Sequence, residues 1–313
     1  MFNVAFFAPY FCGYNSVGVY KSKSCVLHYV YKFSIADSGL EYTNMKKTSF
    51  SASTPAKLNL SLCITGKREN LHALDMIVYP YDGLQDFAEF FPSAKQTDMP
   101  SIKLVVKKGY TGLKRRKFRT FALPILQKIA NALNVSGKII LKKRIPLGAG
   151  LGGSSACIVS AVKAMQAYCK HEGLPYELSD DFLLSLGSDV PCMYRGGVCR
   201  VQGVGEIVMP LPYTPSLSFE IAIAKGGSNS AQCYALYDAI ENGKAMGGIT
   251  NDEKPIPTSV EDAVAQNRND LFESAKILNP HIEKTANALA RCCNSRVFMS
   301  GSGSAVFCVK ENK

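Results

Sequence analysis

The chain has 313 residues, of which 47% are hydrophobic and 19% charged, and it contains no tryptophan. This composition excludes an intrinsically disordered chain, and the length predicts two domains of ordinary size. No run of about 18 apolar residues occurs, so we expect no membrane-spanning helix and no membrane partner. The 11 cysteines form no CxxC pair and no Cys/His zinc spacing, and the N-terminus lacks the features of a secretory signal. We therefore expect reduced thiols and a cytoplasmic protein.

The net charge is +11, and a basic run at 103–119 contains eight Lys or Arg residues and no acid. Such a run is typical of a solvated face, or of a surface that attracts nucleic acid, membranes or anionic small ligands. No DNA-binding motif accompanies the run, so we expect no nucleic-acid partner.

The predicted elements of the first half begin after an unpatterned segment. Residues 1–44 are rich in Tyr, Phe, Ser and Cys without periodicity, and we predict a poorly ordered extension there, or an organellar leader. Alternating or short apolar runs then predict strands at 54–66, 76–81, 102–106 and 137–145. The Asp82-Gly83 pair predicts a turn after the second strand. Helical spacing predicts helices at 122–133, 154–170 and 179–186.

The second half continues the mixture of strands and helices. Apolar runs predict strands at 205–211 and 219–225, and two more around a Ser-Gly turn within 296–310. Helices are predicted at 230–243, 259–277 and 280–292. Because strands and helices alternate without a strict βαβ repeat, we predict an α+β fold in two lobes. The predicted domains are residues 45–205 and 206–313.

The glycine-rich stretch "PLGAGLGGSS" at 146–155 stands between a predicted strand and a predicted helix. A helix N-terminus presents unpaired N–H groups, and glycines let the backbone approach an anion closely, so the stretch predicts a phosphate site. Ser154 and Ser155 add hydroxyls, or simply cap the helix. The Walker pattern would need Lys where Gly153 stands. A GxGxxG pattern is present, but no acidic residue follows at the spacing of a dinucleotide site.

Six segments, read in order, resemble the GHMP small-molecule kinases. These segments are "PAKLNLSLCITGKR" (55–68), "IPLGAGLGGSSA" (145–156), "GSDVP" (187–191), "NSAQCYALYD" (229–238), "NDLF" (269–272) and "MSGSGSAVF" (299–307). The resemblance implies an N-terminal β/α domain and a smaller, ferredoxin-like C-terminal domain, with the active site in the cleft between them. Within the family the chain is similar to the branch that phosphorylates an alcohol carrying a cytidine diphosphate group in isoprenoid precursor biosynthesis.

The resemblance also assigns roles. Asp189 would accept the proton of the acceptor hydroxyl, and Lys57 would neutralise charge beside it, as phosphoryl transfer requires. ATP, with Mg²⁺, would bind at Pro146, Leu147, Gly148, Ala149, Gly150, Leu151, Gly152, Gly153, Ser154 and Ser155. The acceptor would contact Asn59, His72, Ser230, Gly301, Ser302 and Gly303. Neither the metal ligands nor the oligomeric state follow from the sequence.

Two departures from the family pattern concern the acceptor. The family usually places Tyr before the histidine, where this chain has Leu71, and three glycines before the serines, where it has Gly152 and Gly153. Two alternatives therefore stay open: a GHMP kinase acting on another small alcohol, and a catalytically silent binding protein on the same scaffold. The presence of both Lys57 and Asp189 favours an enzyme.

Overall fold

The computed structural model describes residues 18–21, 48–93, 99–107, 109, 112–211, 217–246 and 255–311. Their strands form two sheets. The six-stranded sheet contains β2 (Phe50–Arg68), β3 (Leu71–Pro92), β4 (Ile102–Val106), β5 (Gly137–Lys142), β6 (Cys199–Gly203) and β7 (Ile207–Pro210). The four-stranded sheet contains β1 (Gly18–Lys21), β8 (Leu217–Ile223), β9 (Val297–Met299) and β10 (Ala305–Glu311).

The strand order differs between the two lobes. The larger sheet runs β4-β5-β3-β6-β7, with β2 paired to β3, and only β4 and β5 are parallel. The smaller sheet runs β1-β8-β10-β9 and is antiparallel throughout. The predicted α+β class with two lobes is confirmed.

Helices complete both lobes. The first lobe contains α1 (Arg115–Leu133), α2 (Gly153–His171), α3 (Asp180–Leu184) and α4 (Val190–Arg195). The second contains α5 (Ser230–Met246), α6 (Val260–Gln266), α7 (Phe272–Leu278) and α8 (His281–Cys293). No helix in the described ranges is long and apolar enough to cross a membrane.

The core of the first lobe forms around α2. Most residues of this helix are buried, among them Ala156, Ala161 and Ala164, which let it pack closely on β2 and β3. A helix that is apolar on nearly every side is stable only when it is enclosed. The start of α2, and with it the end of the glycine loop, is therefore held in the centre of the molecule.

Two predictions concern the limits of the domains: the extension at 1–44 and the boundary at 205 and 206. Of the segment 1–44, the structure describes only Gly18–Lys21, an edge strand on β8, and the remainder lies outside the described residues. The change from one sheet to the other falls between Pro210 and Leu217, because β6 and β7 form a hairpin in the larger sheet. The division at 205 and 206 stays a prediction about domains.

The predicted turn at Asp82-Gly83 is wrong. Strand β3 continues through it, and residues 82–84 bulge out between the pairs Tyr81–Ala56 and Gln85–Pro55. A Cβ on Gly83 would lie 2.4 Å from the ring of Tyr81, so the bulge needs glycine.

The predicted helix 259–277 is two helices, α6 and α7. Asn267 takes a left-handed conformation (φ +49°) and ends α6. The chain then pairs with β2, where Leu62 N–H donates to Arg268 O (2.8 Å) and Asp270 N–H donates to Leu62 O (2.9 Å). This short bridge joins the second lobe to the first.

Candidate active site

The glycine loop connects β5 to α2 with alternating left-handed residues. Gly148, Gly150 and Gly152 have φ values of +69°, +73° and +69°. Two of them are also fixed by close neighbours. A Cβ on Gly150 would lie 1.9 Å from Ser300 O, and one on Gly152 would lie 2.8 Å from Lys57 Cγ. Glycine is thus required both for the turn and for the approach of the other elements.

Five successive carbonyl groups of the loop, from Gly148 to Gly152, accept hydrogen bonds. Gly148 O accepts from Ser228 N–H (2.8 Å), Ala149 O from Ala305 N–H (3.0 Å), Gly150 O from Ser300 Oγ (2.9 Å), Leu151 O from Lys57 N–H (3.1 Å) and Gly152 O from Ala156 N–H (2.9 Å). Because these acceptors are used, the N–H groups of the loop are the polar groups that an anion in the cleft would meet.

The start of α2 carries no group that would compete with such an anion. Its N-cap is Gly152, no side chain caps the helix, and the first turn contains no acid. The serines therefore do not cap it. Ser154 is exposed, whereas Ser155 is buried, and both line the cleft. The positive end of the helix dipole faces this cleft without a protein counter-charge on the helix.

Lys57 and Asp189 meet beside the loop. Lys57 is 6% exposed, and its Nζ lies 2.5 Å from Asn59 Oδ1 and 3.8 Å from Asp189 Oδ1. Asp189 occupies the N-cap position of α4, yet its carboxylate does not cap that helix. The carboxylate thus stays available to a ligand in the cleft.

The serine-glycine turn of the second lobe closes the other side of the cleft. Ser300 Oγ accepts from Asn59 N–H (3.2 Å), which ties the turn to β2. Asn269 Nδ2 donates to Met299 O (2.8 Å) and Gly301 O (2.9 Å). The "NDLF" segment thus holds this turn in place.

Most of the sequence-predicted site residues line one cleft: Lys57, Pro146, Gly148, Ala149, Gly150, Gly152, Gly153, Ser154, Ser155, Asp189, Ser230, Gly301, Ser302 and Gly303. Ser230 and Ser302 share a hydrogen bond of 2.8 Å there. Four others do not line it. Leu151 is buried in the core, Leu147 packs against the core, and Asn59 lies behind Lys57.

His72 is the fourth residue outside the cleft lining. Its Nε2 lies 2.8 Å from Asp238 Oδ1, and Lys67 Nζ donates to the same carboxylate (2.7 Å). The imidazole stacks on the ring of Tyr234, with centroids 4.6 Å apart. Burial opposes ionisation of Asp238, but the hydrogen bonds from His72 and Lys67 outweigh it and lower the pKa of the carboxyl group.

Tyr234 lines the cleft and was not among the predicted site residues. It lies one helical turn after Ser230 on α5, so the spacing i, i+4 from a predicted contact was the available signal. Burial, and secondarily the charge of Asp189, raises the pKa of its hydroxyl well above the usual value. Its ring therefore presents a neutral aromatic surface near the carboxylate.

Comparison with known proteins accounts for this arrangement. Residues 120–197, which include the glycine loop, α2 and Asp189, match the GHMP kinases N terminal domain. The chain belongs to the GHMP kinase family and is an ATP-dependent small-molecule kinase. The predicted GHMP kinase fold is thereby confirmed.

The relatives behind this assignment carry one name. The 4-diphosphocytidyl-2-C-methyl-D-erythritol kinase of Paramagnetospirillum magneticum is 30% identical over 270 residues, 83% of this chain and 88% of the relative. That of Carboxydothermus hydrogenoformans is 31% identical over 268 residues, 82% of this chain and 87% of the relative. A crystal structure of 4-(cytidine 5'-diphospho)-2C-methyl-D-erythritol kinase matches with a TM-score of 0.61 at 26% identity, covering 84% of this chain and 90% of that chain.

Proposed function

We propose that the protein transfers the γ-phosphoryl group of ATP to the 2-hydroxyl of 4-diphosphocytidyl-2-C-methyl-D-erythritol, a step of the non-mevalonate isoprenoid precursor pathway. The observation that carries the proposal is the single cleft in which the glycine loop, the Lys57–Asp189 pair and the Tyr234 ring meet. The names of the relatives supply the acceptor. The free thiols of the described cysteines are consistent with a reducing, cytoplasmic location.

The phosphoryl donor is bound by the glycine loop. The N–H groups at the start of α2 bind the phosphates of ATP, and the glycines allow the close approach that such bonds require. The same cleft also contains the hydroxyl groups of two serines, and oxygen atoms are the ligands that Mg²⁺ prefers. Ser154 and Ser155 would hold the ion together with phosphate oxygens and water. When bound, Mg²⁺ supplies positive charge that stabilises the transferring phosphoryl group.

Asp189 and Lys57 act on the acceptor hydroxyl. The Asp189 carboxylate accepts its proton as the oxygen attacks the γ-phosphorus atom, so that a neutral alcohol becomes an effective nucleophile. The Lys57 ammonium, 3.8 Å from the carboxylate, stabilises the negative charge that develops on the attacking oxygen. Asn59 accepts from the Lys57 ammonium and holds it in position.

The cytidine end of the acceptor binds toward α5. The Tyr234 ring offers a surface on which a base stacks, and Ser230 and Ser302 offer hydroxyls at the same wall. His72 stacks on one face of the Tyr234 ring, so a base would stack on the other face. Leu71, at the place of the usual Tyr, is 59% exposed and supplies no second stacking ring.

A second candidate is a kinase for another small alcohol, and the observation that favours it is this missing ring at Leu71 together with the engagement of His72 by Asp238. A silent binding protein is the third. The cleft argues against this third candidate, because a protein that only binds its ligand does not need the buried Lys57 beside an Asp189 carboxylate that makes no helix-capping hydrogen bond.

One assay separates the three functions. The purified chain is incubated with ATP, Mg²⁺ and a panel of alcohols that includes 4-diphosphocytidyl-2-C-methyl-D-erythritol, homoserine and mevalonate, and ADP release is followed. We expect turnover with the cytidine compound. Turnover only with another alcohol would support the second candidate, and ADP release with none of them would support the third.

A further inference from the structure

A buried ion pair lies beneath the glycine loop, formed by Lys143 and Asp86. Both residues are completely inaccessible to solvent, and the ammonium bonds the carboxylate directly. The other carboxylate oxygen of Asp86 accepts from the N–H groups of Arg144 (2.7 Å) and Ile145 (2.9 Å). Asp86 therefore fixes the chain immediately before Pro146, where the glycine loop begins.

The ammonium of Lys143 lies against the other end of the same loop. A Cβ on Gly153, the first residue of α2, would be 3.1 Å from Lys143 Nζ. Gly153 lines the cleft, whereas Lys143 is fully enclosed. The Lys143 ammonium thus lies behind Gly153 and cannot contact a ligand in the cleft.

Asp86 is also tied to the body of α2. Ser160 Oγ lies 3.1 Å from Asp86 O, 2.8 Å from Ala156 O and 3.0 Å from Thr54 Oγ1. Asp86 and its neighbours therefore join four elements: strand β3, strand β2, the end of β5 and helix α2. Any shift of the ion pair would move both ends of the glycine loop relative to each other.

Stability alone does not explain why charges occupy this place. Two charges removed from water carry a large desolvation penalty, and a well-packed apolar pair of similar volume is often as stable. The location of the pair, between the two ends of an anion-binding loop, points instead to the ligand. Asp86 balances the charge of Lys143, but the ammonium is the end of the pair that lies against Gly153. The dipole of the pair therefore adds to the potential that the backbone N–H groups create.

We propose that Lys143 and Asp86 are positioning residues for the phosphoryl donor. The pair fixes the spacing between Ile145 and Gly153, so that the N–H groups of the loop converge on the phosphates of ATP, and the Lys143 charge strengthens their attraction. This inference rests on the proposed binding of ATP at the glycine loop.

The test compares four proteins with the wild type. Lys143→Gln removes the positive charge but keeps a hydrogen-bond donor for Asp86. Lys143→Met removes the charge and the donor. The double variant Asp86→Asn, Lys143→Met removes the charges of both residues but keeps an acceptor for the N–H groups of Arg144 and Ile145. Lys142→Met is the matched control, because Lys142 is the exposed residue immediately before Lys143, at the end of β5. For each protein, KM for ATP, kcat, Kd for ADP and the thermal midpoint are measured.

We expect the three buried-pair variants to raise KM for ATP and Kd for ADP about tenfold, which corresponds to the loss of one charge–dipole interaction. The kcat at saturating ATP should change less than threefold, and Lys142→Met should leave every value within twofold. A double variant that keeps the wild-type KM for ATP would overturn the inference. So would failure of all three variants to fold, because the pair would then serve stability alone. A wild-type protein that does not bind ADP would instead contradict the proposed function.

Discussion

At the scale of the residue, we propose Asp189 as the general base, because its carboxylate does not cap α4 and lies 3.8 Å from a buried ammonium. We expect Asp189→Asn to lower kcat by about 10²–10⁴-fold, the usual contribution of a general base. The Kd for ADP should stay within a few-fold, since the loop binds the nucleotide through its backbone. Asp181→Asn, an exposed acid on α3, is the control. A fast Asp189→Asn enzyme would remove Asp189 from the mechanism.

Gly150 offers a second test at this scale. Its φ is +73° and a Cβ would lie 1.9 Å from Ser300 O, whereas Gly173 has a similar φ of +67° with open space around it. Gly150→Ala and Gly173→Ala therefore share the cost of the left-handed conformation, and only the first adds a clash between the lobes. We expect Gly150→Ala to lower the free energy of unfolding by about 1–3 kcal/mol more than Gly173→Ala. Equal effects in urea titrations would show that the loop yields to the clash.

At the scale of the element, we propose that α5 holds the cytidine end of the acceptor. We expect Tyr234→Ala to raise KM for the cytidine-bearing acceptor about tenfold or more, because a stacked base loses its aromatic partner. Tyr234→Phe should keep a KM near that of the wild type, since the ring and not the hydroxyl makes the stack. KM for ATP is measured alongside and should change in neither variant. A Phe variant as weak as the Ala variant would assign the contact to the hydroxyl group.

Sequence patterns predicted these elements well where one property decides the outcome. The alternation around Leu58 and Leu60 predicts the strand that is observed as β2, and the apolar spacing at 154–170 predicts the helix that is observed as α2. The patterns failed where distant contacts decide. The Asp82-Gly83 pair has the local chemistry of a turn, but the pairing of β3 with both β2 and β5 keeps the strand running.

The same limit applies to the site. The order of the six motifs pointed to Lys57, Asp189 and the two glycine-rich turns, and these residues line one cleft, while their roles stay a prediction. The stacking of His72 on Tyr234 depends on how α5 lies relative to β3, and a local sequence pattern cannot predict how these two elements are placed. For the same reason, the Lys143–Asp86 pair, 57 residues apart, is visible only in three dimensions.

At the scale of the whole molecule, an ion-pair cluster joins the two lobes at the far end of the cleft. Lys67 and His72 of the first lobe both bond Asp238 of the second. The pKa of Asp238 is lowered from its ordinary value of 3.8 by these partners, against the effect of burial. Its stabilising contribution is therefore present above the unfolded-state pKa and is lost as the pH falls through the lower folded-state pKa.

The direction of this pKa shift predicts how the stability of the protein depends on pH. Asp238→Asn should have a lower urea midpoint than the wild type at pH 6, and the difference should shrink as the pH falls below 3.8, the ordinary pKa of the carboxyl group, and through its lower folded-state pKa. Glu177→Gln, an exposed acid outside the cluster, serves as the control. A difference that persists unchanged in acid would contradict the assignment.

Three carbonyl groups of the glycine loop, those of Gly148, Ala149 and Gly150, accept their hydrogen bonds from the second lobe. The nucleotide-binding half is therefore not a portable module that fusion or truncation could pass to another protein. A chain that kept every glycine but lost the second lobe would turn unpaired oxygens toward the place where ATP carries its negative charge. The two lobes therefore form this loop together, and one of its partners, Ser300, lies 150 positions after Gly150 in the chain.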